Sequence, residues 1–353
     1  MNFSETGDSI KIFDSIFDAF QYFAPCSPLL QLQNDTAYFF RRSNQYELID
    51  MQDGYIGAFP GFPMILYRGE YKDYGFSKAS IYRSDNPDDV IIDELRIVEF
   101  KNILSIFPQV QYAIEDHMRV DYLALAQHYG LNTNLIDVTS EPEIAAYFAT
   151  HRWIDGIAVP VEEGIGCIHG IAKPILDFCQ QTSGQMYDPK FHMIGLQCFQ
   201  RPGIQAAYGI ELDRDEDLRT RGWTIYFKQN AKASRLIHMN FHIDQMKVDR
   251  IRKKVSRETV ISDDVVLSRD SWLFPQEDIV DVAECVRKSR CISRAAVEEY
   301  GVDKCIDSLN RNNIEVVDRP IYELTEEKRR KLAEEYKGRP YGNVQLNARL
   351  VYI

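Results

Sequence analysis

Between Asp121 and Ala149 the chain reads DYLALAQHYGLNTNLIDVTSEPEIAAYFA, fitting a helix end, a short strand and a new helix start into fewer than thirty residues. Strand and helices set so close together call for a mixed α+β body in which each covers the other's apolar side. Within the passage, Asp121 to Tyr129 reads as a helix ended by Gly130, which suits the left-handed position after a helix, and Leu135 to Val138 reads as a strand. Ser140-Glu141-Pro142-Glu143 has the form of a capping box, with Ser at the N-cap, Pro in the first turn and Glu at N3; it opens a helix running to about Arg152. The polar residues His128, Tyr129, Asp137, Thr139 and Ser140 sit at the element ends, where side chains converge on a cleft rather than fill a core.

The flanking chain fits the same class. Phe13, Ile16, Phe17 and Phe20 mark one face of an N-terminal helix ended by Pro25, and 36–41 is an alternating, aromatic-rich piece. After the Gly/Pro loop GAFPGFP, Met64 to Tyr67 reads as a buried strand that delivers Arg68 at its end, followed by Gly69. Phe100, Ile103, Leu104 and Phe107 define another helical face before Pro108. From Gly156 to Phe241 short β runs (GIAVPV, GCIHGIA, IQAAYGIEL, WTIYFK) alternate with Gly-rich or charged turns. Residues 243–255 suggest an amphipathic helix carrying RIRKKVSR, whose plain reading is a solvated face and whose alternative is nucleic-acid contact. The chain beyond Leu273 reads as helical, closing with Thr325 to Tyr336. The expected organisation is a lead-in over 1–55, a mixed, mostly antiparallel β core with flanking helices over 56–275, and a helical extension over 276–353.

Composition removes several classes of function. A net charge of −12 gives no general attraction to nucleic acid or anionic lipid. The longest purely apolar run, 144–149, is about half a dozen residues against the roughly 20 of a membrane span. The first residues lack a basic stretch followed by an apolar one, so no secretory signal is read. With seven cysteines and no CxxC pair, free thiols in a reducing cytoplasm are expected. Cys167 and His169 can offer two metal ligands, but no second Cys/His pair stands at zinc-site spacing, so no metal is expected. The phosphate-loop, zincin, serine-hydrolase and kinase signatures are absent.

What remains is a set of polar residues, each with two readings. Arg68, followed by Gly69, can fork onto a phosphate or carboxylate while the glycine admits a ligand to the backbone; otherwise it forms an ion pair with Asp137 or Glu70. His128 can donate to a ligand or cap its helix, and Tyr129 can stack on a flat ring or fill the core. Asp137 can act in a site or accept backbone amides. Thr139, Ser140 and the amides of 141–143 form an anion-friendly corner if Ser140 caps the helix. Arg201 and Gln205, four apart, share a face if they lie in a strand, and Glu211 joins them there or is solvated.

Tyr67-Arg68-Gly69, Ala-Gln-His-Tyr-Gly at 126–130, Thr-Asn-Leu-Ile-Asp-Val-Thr at 133–139, Ala-Ala-Tyr-Phe-Ala at 145–149 and the Arg201-x-x-x-Gln205 element together resemble the FRG domain family. Asn134, Val138 and Ala207 stand where that family commonly has Arg, Trp and Gly. A looser resemblance links Arg68, the Thr139-Ser140 strand end with its following helix, and Gln205 or Glu211 to the three-part site of ADP-ribosyltransferases. It implies a split sheet and NAD as substrate: Arg68 gripping phosphate or ribose, Thr139 and Ser140 bracing the nicotinamide ribose, and Gln205 or Glu211 orienting it. Gln205 cannot serve as a base, so that task falls to Asp137 or Glu211. The expectation is an NAD-consuming transferase or glycohydrolase of bacterial stress response or defence, with His128, Tyr129 and Arg201 completing the ligand contacts. The alternative is a non-catalytic module for a nucleotide-like or small anionic ligand.

Overall fold

The structure, a computed structural model, describes residues 11–27, 29–30, 45–50, 54–59, 64–154, 157–172, 190–241, 273–275, 277–337 and 347–350. The 36–41 piece and the 243–255 amphipathic run with its basic cluster lie outside the described residues. At the centre is a seven-stranded sheet built of β1 (Ile12–Phe13), β2 (Ile65–Glu70), β3 (Leu135–Thr139), β4 (Ile165–Ala172), β5 (Phe191–Met193), β6 (Ala207–Glu211) and β7 (Trp223–Lys228). In space the order is β1-β7-β4-β2-β3-β6-β5. Only β1 and β7 are parallel; every other pairing is antiparallel. The mixed, mostly antiparallel α+β architecture expected from the sequence is present.

Alternation along the strands gives the sheet two buried faces. Tyr67, Ile168, Ile225 and Phe227 pack on one face against helices α1 (Ile16–Phe23), α5 (Pro142–Thr150) and α7 (Ala231–Phe241). Leu66, Ile136, Val138, Tyr208 and Ile210 pack on the other with Ile49, Phe59, Ala79 and Leu218. A further apolar cluster joins α2 (Pro87–Leu104), α3 (Pro108–Glu115) and α4 (Tyr122–His128) to α8 (Asp278–Lys288) and α11 (Glu326–Tyr336). It runs through Phe100, Leu104, Leu125, Tyr129, Phe199, Ile279, Val282 and Leu332, so part of the C-terminal third shares a core with the middle of the chain. Between them α6 (Gln200–Ile204) leads into β6, while α9 (Arg294–Tyr300) and α10 (Val302–Arg311) pack on α2 through Leu95, Val297 and Leu309. Among the described residues, no helix is long and apolar enough to cross a membrane.

Local differences from the sequence reading have identifiable causes. Phe13 pairs with Phe227 in β1, and Ser15 caps α1 just after it, so the apolar 3.6-residue spacing crosses a strand–helix junction. Strand β2 continues through Arg68 and Gly69 to Glu70, because β4 pairs with it along its whole length. The capping box at 140–143 is not formed. Glu141 is the N-cap of α5, no side chain caps it, and the Glu141 amide is taken by Thr139 Oγ1 at 3.1 Å. Glu143 instead accepts the Ser27 hydroxyl. Gly130 does take a positive φ, of 91°, after α4.

One partly buried charge cluster ties β5, β6 and the start of α4 together. His192 donates through Nε2 to Glu211, and its Nδ1 lies 3.6 Å from the Asp121 carboxylate, which also caps α4 by accepting the Ala124 amide. Burial opposes a charge on His192, but Asp121 and Glu211 outweigh it and raise its pKa to about 9. A histidine whose folded pKa exceeds its unfolded value stabilises fully below about pH 6.5, and that contribution fades as pH rises through the folded value. Urea unfolding is expected to show wild type losing about 2 kcal/mol more than His192→Gln between pH 7 and 9.

Candidate functional site

The site begins where the central sheet parts. β2 and β3 are paired only at Tyr67–Thr139, and beyond that point a side chain replaces the ladder. Arg68 Nη1 donates to the Asp137 carbonyl at 2.9 Å, while Nε donates to Glu70 at 3.0 Å. Arg68 therefore lies inside a strand rather than at its end, and the neighbouring strand's departure is what exposes it. Burial opposes the charge on Glu70, yet His169, Arg68 and Ser77 together hold its carboxyl at about 2, so the guanidinium has a fixed anionic anchor. Nη2 makes no hydrogen bond among the described residues.

A cavity of about 160 Å³ occupies the parting, lined by Tyr67, Arg68, Gly69, His128, Asp137, Val138, Thr139, Ile144, Ala145, Phe148, Gln205 and Ala207. The hydrogen bonds around His128 assign its tautomer. Gln205 Nε2 donates to the Leu273 carbonyl at 3.0 Å, which turns Oε1 toward His128 Nδ1 at 3.1 Å. Nδ1 must carry a hydrogen to make that bond. The other ring nitrogen, Nε2, lies 3.4 Å from Asp137 Oδ1, and both atoms are buried without a hydrogen-bond partner among the described residues. Asp137 Oδ2 is held by Gln127 Nε2 at 3.1 Å. In this tautomer Nε2 and Oδ1 are two acceptors face to face, an arrangement relieved by a donor that bridges them.

The ten residues singled out from the sequence thus differ in fate. Arg68, Gly69, His128, Asp137, Thr139 and Gln205 meet at the cavity; Tyr129, Ser140, Arg201 and Glu211 do not line it. Gln205 reaches it from the end of α6 rather than from a strand, so the shared strand face with Arg201 and Glu211 does not exist. Its amide is engaged at both ends, which suits positioning His128. Thr139 Oγ1 donates to the Gln205 carbonyl at 2.8 Å while accepting from Glu141, so its hydroxyl is committed to the backbone. Pro142 has no N–H and the Glu141 amide is taken, so two of the three amides of the expected anion-friendly corner do not serve an anion.

Arg201 and Tyr129 belong to the wall behind the cavity. The Arg201 guanidinium stacks 4.2 Å from the Tyr129 ring centre and 5.3 Å from that of Phe274, and donates to the His128 carbonyl at 2.7 Å, capping α4. The Tyr129 hydroxyl donates to Glu277; burial first, then Glu277, pushes that phenol well above its ordinary range. The Ser140 amide bonds the Ala206 carbonyl. Glu211 pairs with Leu135, at the far end of β3 from Thr139, and its carboxylate serves His192 and Asn134. Sequence reasoning missed the apolar wall of Ile144, Ala145 and Phe148, although their spacing on one helix marks a shared face. It also missed Gln127 as the residue that holds Asp137.

These features define an α+β protein with a polar cleft where an antiparallel sheet parts. The family model described as FRG domain matches residues 64–155, and an FRG domain is present there. The match takes in Arg68, Gly69, His128, Asp137, Thr139 and α5, and it ends before Gln205. No curated protein and no solved structure matches the chain.

Gly69 makes the cleft possible by letting α5 lie directly on β2. A Cβ there would stand 1.8 Å from the Ala145 carbonyl oxygen and 2.7 Å from the Ala149 amide, both backbone atoms that cannot swing aside. Gly69→Ala is expected to lower unfolding stability by at least about 2 kcal/mol, read from urea denaturation. Gly75→Ala, in open space but at a positive φ of 73°, is expected to lose less, on the order of 1 kcal/mol.

Proposed function

We propose that the cleft binds the phosphate and ribose of NAD and cleaves the nicotinamide–ribose bond, as an NAD glycohydrolase or ADP-ribosyltransferase. The observation that carries this reading is one hollow lined by an anchored guanidinium, whose Nη2 makes no hydrogen bond among the described residues, and by the facing atoms His128 Nε2 and Asp137 Oδ1, which make none there either. A guanidinium edge suits a phosphate, and facing acceptors suit sugar hydroxyls. Asp137, whose side chain keeps 35% exposure, is the carboxylate that lines the cavity.

In this reading the C1′–N bond breaks with its electron pair leaving on neutral nicotinamide. The Asp137 carboxylate stabilises the positive charge that develops on the ribose. Water or an acceptor hydroxyl then adds to C1′, and its proton passes to His128 Nε2. Gln205 holds the ring so that Nε2 faces inward. Glu211, expected from the resemblance as a late acid, has no part in the step, and Gln205 acts only by position.

The alternative module reading draws on the size of the cavity. About 160 Å³ lies below the roughly 300 Å³ at which pockets for drug-sized ligands begin, which favours a smaller anionic ligand. Chromatographic measurement of nicotinamide release from NAD separates the two. Turnover is expected in wild type, with a loss of at least about 100-fold in Arg68→Ala and in Asp137→Asn, each checked by circular dichroism. NAD or ADP-ribose bound calorimetrically without turnover supports the module; no binding and no turnover removes the nucleotide reading altogether.

A further inference from the structure

On the face of the sheet that carries Arg68, three buried side chains outside the cleft converge. Glu70 of β2 is directly opposite Cys167 of β4, and Arg68 is opposite His169. Paired residues of antiparallel strands project to the same side, so register alone brings a carboxylate, a thiol and an imidazole together. They are 8%, 0% and 1% exposed respectively. Their donor atoms all lie within 4.8 Å of one another, with Cys167 Sγ 3.7 Å and Glu70 Oε2 3.3 Å from His169 Nε2.

We infer that Glu70, Cys167 and His169 form a structural zinc site. A tetrahedral centre with Zn–S near 2.3 Å and Zn–N or Zn–O near 2.0–2.1 Å separates its S and N ligands by roughly 3.5 Å and its N and O ligands by roughly 3.3 Å. The two contacts to Nε2 have these edge lengths. The chemistry of the donors agrees, since a mixed thiolate, imidazole and carboxylate set suits zinc rather than magnesium or calcium. Hydrogen bonding uses the cluster less completely, because Nε2 has either one proton or one lone pair and faces both sulfur and oxygen. A cysteine–histidine–acid relay is also excluded by this geometry, since such a relay needs the thiol and the acid on opposite ring nitrogens.

The surroundings are those of ligands held from behind. His169 Nδ1 pairs with Thr224 Oγ1 at 2.9 Å, Glu70 Oε1 accepts from Ser77 Oγ at 2.7 Å and from Arg68 Nε at 3.0 Å. Each is held through its outward atom and turns the inward one toward the cluster, the outer-shell arrangement that fixes orientation at zinc centres. The Lys72 carbonyl lies 4.0 Å from Sγ. A divalent ion would be neutralised by thiolate and carboxylate, leaving Glu70 Oε1 still bound to Arg68. Only two of the ligands stand together in the chain, because the third comes from across the sheet.

The test uses the full chain, stripped with chelator and then loaded with zinc or cobalt(II) and freed of excess. Elemental analysis is expected to find about one zinc per chain. The cobalt form is expected to show a thiolate-to-metal absorption in the near ultraviolet and intense tetrahedral bands in the visible. Cys167→Ser is expected to lose the thiolate absorption, and Glu70→Gln, which preserves shape, to bind zinc at least about tenfold more weakly. Cys26→Ser, at an exposed thiol, retains both signals. Zinc is also expected to raise the melting temperature of wild type and not of Glu70→Gln. A wild-type chain that takes up neither metal overturns the assignment, as does Glu70→Gln that binds and is stabilised like wild type. Nicotinamide release plays no part in these readouts.

Discussion

The structure depends on how a cation bridges the gap between two strands. Past Tyr67 and Thr139, β2 and β3 no longer exchange backbone hydrogen bonds, and an unpaired carbonyl there would be left without a partner. Arg68 supplies it from the side chain, with a charged hydrogen bond of the kind worth about 1.5–3 kcal/mol. The guanidinium can do this and still present an edge to the cleft because its donors lie in a fixed fork, which an ammonium lacks. Glu70 makes the arrangement tolerable in a largely buried place by giving Arg68 an anion two residues along the same strand.

Opening a sheet removes contacts, so something must fill the space on its helical side. Helix α5 does so through small residues. Ala145 and Ala149 meet Gly69 so closely that backbone packs on backbone, and Gln229 ties the end of the helix down by donating to the Ala149 carbonyl at 2.7 Å and to that of Tyr71 at 2.9 Å. The larger Ile144 and Phe148 of the same helix then form the apolar side of the hollow. The Ala-Ala-Tyr-Phe-Ala run therefore has two tasks, close approach and wall, divided by side-chain size along one helix.

Much of this was legible in the sequence, and the failures follow a pattern. Period and punctuation located α4, β3 and α5 nearly to the residue, and the polar residues at their ends include His128, Asp137 and Thr139, which do meet at the cleft. Reasoning failed where identity of an element was decided by distant partners. Arg201 to Gln205 reads as strand by its spacing but forms a short helix packed against α4 and β6. Ser140 looked like a cap because its neighbours fit the pattern, but Thr139 reaches the amide first. Cross-strand relations were the least legible: nothing near Cys167 and His169 in the chain points to Glu70, almost a hundred residues earlier, and nothing near Glu211 points to Asp121.

The family match covers residues 64–155, yet the orientation of His128 is set largely from outside it. Gln205 receives the Nδ1 hydrogen and is itself oriented by the Leu273 carbonyl. Arg201 fixes the last turn of α4 by binding the His128 carbonyl, and is held between Tyr129 and Phe274. Glu277 accepts the Tyr129 hydroxyl and also the Gln200 amide that begins α6, at 2.7 Å. Burial pushes the Glu277 carboxyl up, and only Tyr129, the Gln200 amide and Arg201 offset that, so these groups stabilise one another or fail together. An imidazole aimed at Asp137 is thus a property of three separated stretches of chain packed into one wall, and the same motif residues without that wall would leave the ring free to turn.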